Sequence, residues 1–160
     1  MAHCILRIAL DTPLNAVFDY RWACEPGQAP LVGQLALVPF ARREVVGLIV
    51  AVAQESAVAE DKLKDALAVR SQLAPLSAQW LALAGFAADY YQRPLGEVAL
   101  PGLPKNLRVL STVALERAIK KLAKLEAAQD PAPAGMPVLN PAQQAAADYL
   151  VAAQGFQPAL

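Results

Sequence analysis

The 160-residue sequence has few of the residues from which catalytic and metal sites are built. It contains one histidine, His3, and two cysteines, Cys4 and Cys24, with no Cys-x-x-Cys pair. Neither a histidine-dependent catalytic relay nor a structural zinc site can be assembled from so few groups. The motifs Gly-x-x-x-x-Gly-Lys-Ser/Thr, Gly-x-Ser-x-Gly and His-Glu-x-x-His are absent as well. We therefore expect no catalysis, no metal site and no cofactor in this stretch of chain.

Long apolar runs are also absent. The longest strongly apolar stretch, Val45 to Ala53, is far shorter than the roughly 20 residues that a helix needs to span a bilayer. The apolar residues near the N-terminus are interrupted by Arg7 and followed by Asp11, which is not typical of a signal peptide. Two cysteines do not indicate a disulfide framework. We expect a cytoplasmic protein that does not contact a membrane.

The sequence has no excess of either charge, since lysine and arginine number 14 and aspartate and glutamate number 14. No overall field attracts a polyanion, so any nucleic-acid role must come from a local site. One segment is locally basic, with a single acidic residue, Glu116, among Lys105, Arg108, Arg117, Lys120, Lys121 and Lys124. A solvated helix face and a phosphate-contacting segment both account for this pattern.

What the sequence does contain is a series of strand-like segments in its first half. Apolar residues alternate from Cys4 to Leu10, which indicates a strand with one buried face. Further strands are predicted at Val17 to Trp22, Leu31 to Phe40 and Val45 to Ala53. The segment from Leu63 to Leu73 is ambiguous between a strand and a short helix, and we favour a strand. These segments predict a small, mainly antiparallel, OB-like β-barrel over residues 1–73.

The second half has helical patterns, so the predicted fold class is α+β. Ser77 can cap a helix that ends before Pro94, and this helix forms a packed helical part over residues 74–108. A basic helix from Thr112 to Ala128 and a Pro-rich linker occupy residues 109–137. Asn140 can cap a third helix that runs to about Gln154, within a last segment of residues 138–160.

Four stretches, taken in order, resemble the N-terminal region of the PriA family of replication-restart helicases (primosomal protein N′). The first is Val17-Phe18-Asp19-Tyr20 after a strand and a proline-containing loop. The second is Gly33 to Phe40, which leads through basic residues to Val46 to Val50. The others are Leu63-Lys64, and Ala87-Ala88-Asp89-Tyr90-Tyr91 followed by Pro94-Leu95-Gly96-Glu97-Val98. Each is weak alone, but their order and spacing identify the chain as a member of the family.

The resemblance implies a DNA-binding domain that recognises the 3′-hydroxyl end of the nascent leading strand at a stalled fork. It also implies that the parent protein is an ATP-dependent 3′ to 5′ superfamily 2 DNA helicase. Single-strand-binding protein and primosome factors are expected partners, and a protein-docking module for them is the alternative function. ATP, magnesium and zinc are expected only in the helicase portion.

The C-terminal part of the sequence is expected to be the beginning of that portion. Leu139 to Gln143 resembles the run-in to the first helicase lobe, and Leu160 precedes the phosphate-binding loop. We therefore expect a truncated lobe without its ATPase motor. The stretch between Arg108 and Leu139 is too short for the winged-helix domain of many relatives, which is expected to be shortened or missing.

Carried over from the family, the residues that bind the DNA 3′ end are Phe18, Asp19, Ala41 and Lys64. Phe18 can stack on the terminal base, Asp19 can accept a hydrogen bond from the hydroxyl, and Lys64 can contact phosphate. Ala41 departs from the family, which often has glycine there, so its methyl group could crowd a base or require a different backbone angle. Without the resemblance, Phe18 would be a core residue and Asp19 a surface one. Arg42 and Arg43 are candidates for phosphate contacts. Alternatively, they are charged residues that keep the tip of a β-hairpin soluble.

Overall fold

The computed structural model describes residues 3–24, 29–109, 111–128 and 138–152. Its elements are β1 (His3–Ala9), β2 (Val17–Ala23), β3 (Leu35–Phe40), β4 (Arg43–Ala53), β5 (Lys64–Asp65), β6 (Ala68–Val69), α1 (Ala78–Tyr90), α2 (Leu95–Ala99), α3 (Lys105–Val109), α4 (Thr112–Ala128) and α5 (Pro141–Ala152). The third strand begins at Leu35 rather than Leu31 because Gly33, with φ of 92°, lies in a turn. The predicted Pro-rich linker, which follows Ala128, lies outside the described residues.

The six strands form one curled sheet in the order β5-β2-β1-β4-β3-β6. All neighbours are antiparallel except β2 and β5, which are parallel. β5 and β6 lie at opposite edges of the sheet although only Ala66 and Leu67 separate them in sequence. The Ala66 amide donates to Arg21 O of β2 and the Leu67 amide donates to Leu37 O of β3, each at 2.9 Å. The two edges therefore meet, and the predicted OB-like barrel is confirmed.

Alternating side chains of β1 form the barrel interior. Cys4, Leu6 and Ile8 are buried together with Val38 of β3 and Ile49 of β4. Ile5 and Ala9, on the opposite face of β1, are buried as well, so β1 is covered on both faces and not on the one face that the sequence predicts. Burial of each large aliphatic side chain contributes roughly 1.5–3 kcal/mol, so the buried β1 anchors β2, which pairs with it along its whole length.

A second apolar cluster joins the barrel to the first two helices. Leu48 of β4 packs with Ala84 of α1 and Leu100, which follows α2. As predicted, Ser77 caps α1, and its hydroxyl accepts a 3.2 Å hydrogen bond from the Trp80 amide. The helical part is therefore packed on the barrel, which confirms the α+β architecture.

Gly96 lets α2 approach the barrel closely. A Cβ atom at this position would lie 1.9 Å from the carbonyl oxygen of Leu10, at the end of β1. No side chain fits at that distance. The backbone of α2 therefore rests directly on the chain that leaves β1.

Contacts divide the chain into two units, Met1–Leu122 and Ala123–Leu160. In the second unit, Asn140 caps α5 as predicted: its side chain accepts a hydrogen bond from the Gln143 amide, and Gln143 reciprocates at the Asn140 amide. The division into segments 1–108, 109–137 and 138–160 stays a prediction. None of the helices in the described part of the chain is long and apolar enough to cross a membrane.

Candidate nucleic-acid interface

A cavity of about 550 Å³ opens on the barrel surface beside β2. We call it the β2 cavity. It brings together the four residues predicted to bind a DNA end: Phe18, Asp19, Ala41 and Lys64. Arg7, Tyr20, Phe40 and Lys62 also line it. Residues from β1, β2, the β3–β4 hairpin and the approach to β5 therefore converge on one concave surface.

The aromatic part of the cavity is a pair of phenylalanines. The rings of Phe18 and Phe40 meet edge to face, with centroids 5.1 Å apart and planes at 71°. Both side chains are half-buried and pack against the barrel core while lining the cavity. The core and pocket interpretations of Phe18 are thus compatible. An apolar wall of this kind suits the face of a nucleobase.

Asp19 is held in a defined orientation by two neighbours that the sequence does not predict. Ser56 Oγ donates a 2.5 Å hydrogen bond to Asp19 Oδ2, and Arg7 Nε lies 3.8 Å from Asp19 Oδ1. Val58 fixes Ser56 in turn, because its amide donates to Ser56 Oγ at 3.0 Å. The Asp19 side chain is only 12% exposed, so it is not the surface carboxylate of the alternative interpretation. A carboxylate has about four acceptor positions, which leaves Asp19 able to accept a further donor.

Ala41 has a left-handed backbone conformation, with φ of 53°. It is the first residue of the two-residue turn, Ala41-Arg42, between β3 and β4. Glycine adopts this conformation without steric cost, and a residue with a Cβ does not. Two consequences are expected of the alanine, crowding of a base and a different backbone angle. The structure shows an unfavourable backbone angle at Ala41.

Two lysines line the cavity near β5. Lys64 is paired with Tyr20 in the parallel β2–β5 bridge, and Lys62 lies two positions earlier in the preceding turn. Both side chains are exposed. The Tyr20 hydroxyl donates a 3.2 Å hydrogen bond to Pro39 O, which ties β2 to β3 beneath them, and burial raises the pKa of Tyr20.

The two arginines of the β3–β4 hairpin do not join the β2 cavity. Arg42 is exposed at the turn, and Arg43, which opens β4, lines a neighbouring cavity instead. No group of three or more metal-ligating side chains occurs in the residues that the structure describes. The β2 cavity thus combines an aromatic wall, one oriented carboxylate and exposed cations.

Comparison with known proteins bears on this arrangement. The family model of the PriA 3′ DNA-binding domain (3′BD) matches residues 7–104, a range that includes all four predicted residues. The chain belongs to the PriA family. It is also 39% identical over 109 residues to the replication restart protein PriA of Haemophilus influenzae, a match that covers 65% of this chain and 14% of that relative. The chain therefore carries the DNA-binding domain of a replication-restart protein.

Proposed function

We propose that the β2 cavity binds the terminal nucleotide of a DNA strand that ends in a 3′-hydroxyl, as the nascent leading strand does at a stalled fork. The observation that carries the proposal is the convergence of Phe18, Asp19, Ala41 and Lys64 on one cavity within the matched domain. A free 3′ end differs from internal DNA in a sugar hydroxyl that can donate a hydrogen bond and a base with one unstacked face. An end-specific site needs an acceptor and an apolar wall.

Asp19 is the acceptor in this proposal. Ser56 and Arg7 hold its carboxylate in place, so the hydroxyl meets an acceptor that is already oriented. Hydrogen bonds to charged groups contribute roughly 1.5–3 kcal/mol. A 3′-phosphate would instead bring a second negative charge to the Asp19 carboxylate, which is unfavourable in a partly buried site.

Phe18 and Phe40 provide the wall for the terminal base, and Lys62 and Lys64 contact its phosphate. Base stacking on aromatic side chains contributes roughly 1–3 kcal/mol and tolerates any base. The phosphate contacts add affinity without reading sequence. The site therefore discriminates the chemistry of the end and not the identity of the terminal base.

Two forks that differ only in a 3′-hydroxyl or a 3′-phosphate on the nascent strand test the proposal. We expect tighter binding of the hydroxyl fork at one stated salt concentration, and loss of that preference in Asp19→Ala. The control is Asp61→Ala, which removes an exposed carboxylate from a turn outside the cavity. Equal affinities of the unaltered chain for the two forks would show that Asp19 does not bind the hydroxyl.

The terminal base gives a second test, with Phe18→Leu and Phe18→Ala titrated against all four bases. Both variants should bind more weakly whichever base is terminal, since stacking is lost in each. Phe18→Leu keeps most of the core packing, so it separates stacking from stability. Loss for one base alone would indicate edge readout and contradict the stacking role.

The proposal extends to the parent protein, an ATP-dependent 3′ to 5′ DNA helicase that reloads the replication machinery. The support is the relative's name, replication restart protein. ATP, magnesium and zinc would act in the helicase portion, while the barrel positions the motor on a fork. An ATPase assay on these 160 residues should give background rates, and DNA-stimulated hydrolysis would contradict this division of labour.

A second candidate function is docking of a partner, such as the tail of single-strand-binding protein or a primosome factor. It is favoured by an exposed aromatic face on α1: Leu83, Phe86 and Tyr90 are 65%, 66% and 69% exposed. The rings of Phe86 and Tyr90 are stacked with centroids 5.9 Å apart. Phe86→Ala should weaken binding of a tail peptide and leave fork binding unchanged. A matching loss of fork binding would assign this face to DNA.

A further inference from the structure

A second cavity, of about 540 Å³, lies between the β3–β4 hairpin and α3. We call it the α3 cavity. Its polar lining includes Asp11, Thr12, Arg43, Arg108 and Ser111, and Phe40 lines both this cavity and the β2 cavity. Phe40 and Arg43 are partners in the β3–β4 register. The end of one hairpin therefore separates the two cavities.

Two residues that line the α3 cavity carry buried polar atoms without a hydrogen-bond partner in the described part of the chain. Arg108 Nε and Thr12 Oγ1 are buried and form no hydrogen bond within the described residues. Leaving such a group unsatisfied costs roughly 1–3 kcal/mol. Arg108 does have a nearby carboxylate, but its Nη1 lies 3.6 Å from Asp11 Oδ2, beyond hydrogen-bond distance. With Arg43, the cavity lining thus includes two cations and the hydroxyl of Thr12, and none of the three forms a hydrogen bond to a carboxylate among the described residues.

We propose that the α3 cavity binds a backbone phosphate of the DNA whose 3′ end occupies the β2 cavity. A phosphodiester has the acceptor oxygens that an arginine guanidinium group and a hydroxyl require. The proposal rests on the proposed function only for the position of the strand end, since DNA is already the ligand of this domain. It assigns Arg43 and Arg108, which are 65 positions apart in sequence, to one phosphate-binding site.

Two carboxylates, Asp11 and Glu44, also line the cavity and oppose an anion. The Asp11 side chain is 48% exposed, so it can swing into solvent at little cost. In the absence of DNA it serves as the counter-ion of Arg108, and a phosphate replaces it. Asp11 therefore competes with DNA for the same cation.

Salt dependence of fork binding tests the site. In Arg108→Gln, affinity should fall about three- to tenfold, and the slope of log affinity against log salt should become shallower by about one. Arg43→Gln should behave in the same way. Arg93→Gln is the control, because Arg93 is exposed, pairs with Glu97 and lines neither cavity. Unchanged slopes in Arg108→Gln would overturn the proposal, even if Arg43→Gln alters the slope.

Asp11→Asn gives the opposite expectation, since it removes the competing carboxylate. It should bind the fork about two- to fivefold more tightly, and the gain should vanish in the double variant with Arg108→Gln. Thr12→Val, which keeps the side-chain volume, should weaken binding without changing the salt slope. If circular dichroism shows that Arg108→Gln does not fold, Thr12→Val tests the site in its place. Full affinity of Thr12→Val for the fork would then reject the site.

The preference for a 3′-hydroxyl over a 3′-phosphate separates the two proposals. Variants of the α3 cavity should retain this preference, because they leave Asp19 and Ser56 in place. Loss of the preference in Arg108→Gln would show that the cavities are one site and contradict the inference. Absence of the preference in the unaltered chain would reject the end-binding proposal and leave the salt-slope result standing.

Discussion

Ser56 Oγ donates a 2.5 Å hydrogen bond to Asp19 Oδ2 across 37 positions of sequence. Ser56 comes from the loop after β4, and Asp19 from the middle of β2. Because the Asp19 side chain is mostly buried, this bond both satisfies the carboxylate and sets its direction. The loop therefore sets the orientation of Asp19, the acceptor in the proposed end-binding site.

Ser56→Ala should accordingly reduce both stability and end discrimination. Loss of a hydrogen bond to a charged group costs roughly 1.5–3 kcal/mol, which urea unfolding measures. The preference for a 3′-hydroxyl fork should also narrow, since the carboxylate gains freedom. Ser71→Ala, in an exposed turn, is the control for both measurements. A variant with unaltered stability and preference would mean that Ser56 does not position Asp19.

Ala41→Gly should stabilise the chain. The left-handed conformation of Ala41 costs an L-residue roughly 1–2 kcal/mol, and the extra unfolded-state entropy of glycine returns roughly 0.5–1 kcal/mol of that. The expected net gain is about 0.5–1 kcal/mol in the free energy of unfolding. Ala82→Gly, on the exposed side of α1, should lose about the same amount. Equal effects of the two changes would refute strain at the hairpin turn.

Two glycine-to-alanine changes should shift the free energy of unfolding in opposite directions. In Gly96→Ala the new methyl group meets the Leu10 carbonyl, and overpacking of this kind costs roughly 1–3 kcal/mol or more. Gly85→Ala, in α1, places its methyl group in open space and should gain roughly 0.5–1 kcal/mol. Urea midpoints measure both. A stable Gly96→Ala variant would argue against the close approach of α2 to the end of β1.

Cys4 should make stability depend on alkaline pH. Burial, followed by the hydrogen bond and charge of Cys24, raises the pKa of the Cys4 thiol from 9.0 to about 12. The pKa of the thiol is higher in the folded chain than in the unfolded chain. The stability that the protonated thiol contributes is therefore fully present below pH 9 and is lost as pH rises towards 12. Between pH 8 and 10.5, the unaltered chain should lose about 2 kcal/mol more than Cys4→Ala does. Equal losses of stability in the unaltered chain and in Cys4→Ala would show that folding does not raise the pKa of the Cys4 thiol.

Local patterns were sufficient for much of the fold and for little of the site. The strand at β1 and the caps at Ser77 and Asn140 are local signals, and all three are present in the structure, although β1 is buried on both faces and not on one. By contrast, α3 escapes prediction, since Pro101, Gly102 and Pro104 dominate the composition before it. Short elements bounded by such residues carry almost no periodicity.

The cavity residues divide in the same way. Phe18, Asp19, Ala41 and Lys64 come from a family resemblance, because nothing in their local pattern distinguishes a pocket from an ordinary strand. Arg7 can be predicted as a neighbour of Asp19 only when the β1–β2 register is known, because that register places the two residues opposite each other. Ser56 carries no signal at all, because the path of a polar loop is determined by tertiary contacts.

The segment that seals the barrel also carries Lys64. Its pairing with Tyr20 joins residues 44 positions apart, and such non-local contacts form late because chain closure must precede them. Until this pairing forms, the proposed end-binding site lacks Lys64 and the edge of β2 is unprotected. Closure of the barrel at β2 and completion of the proposed end-binding site are therefore one and the same step in folding.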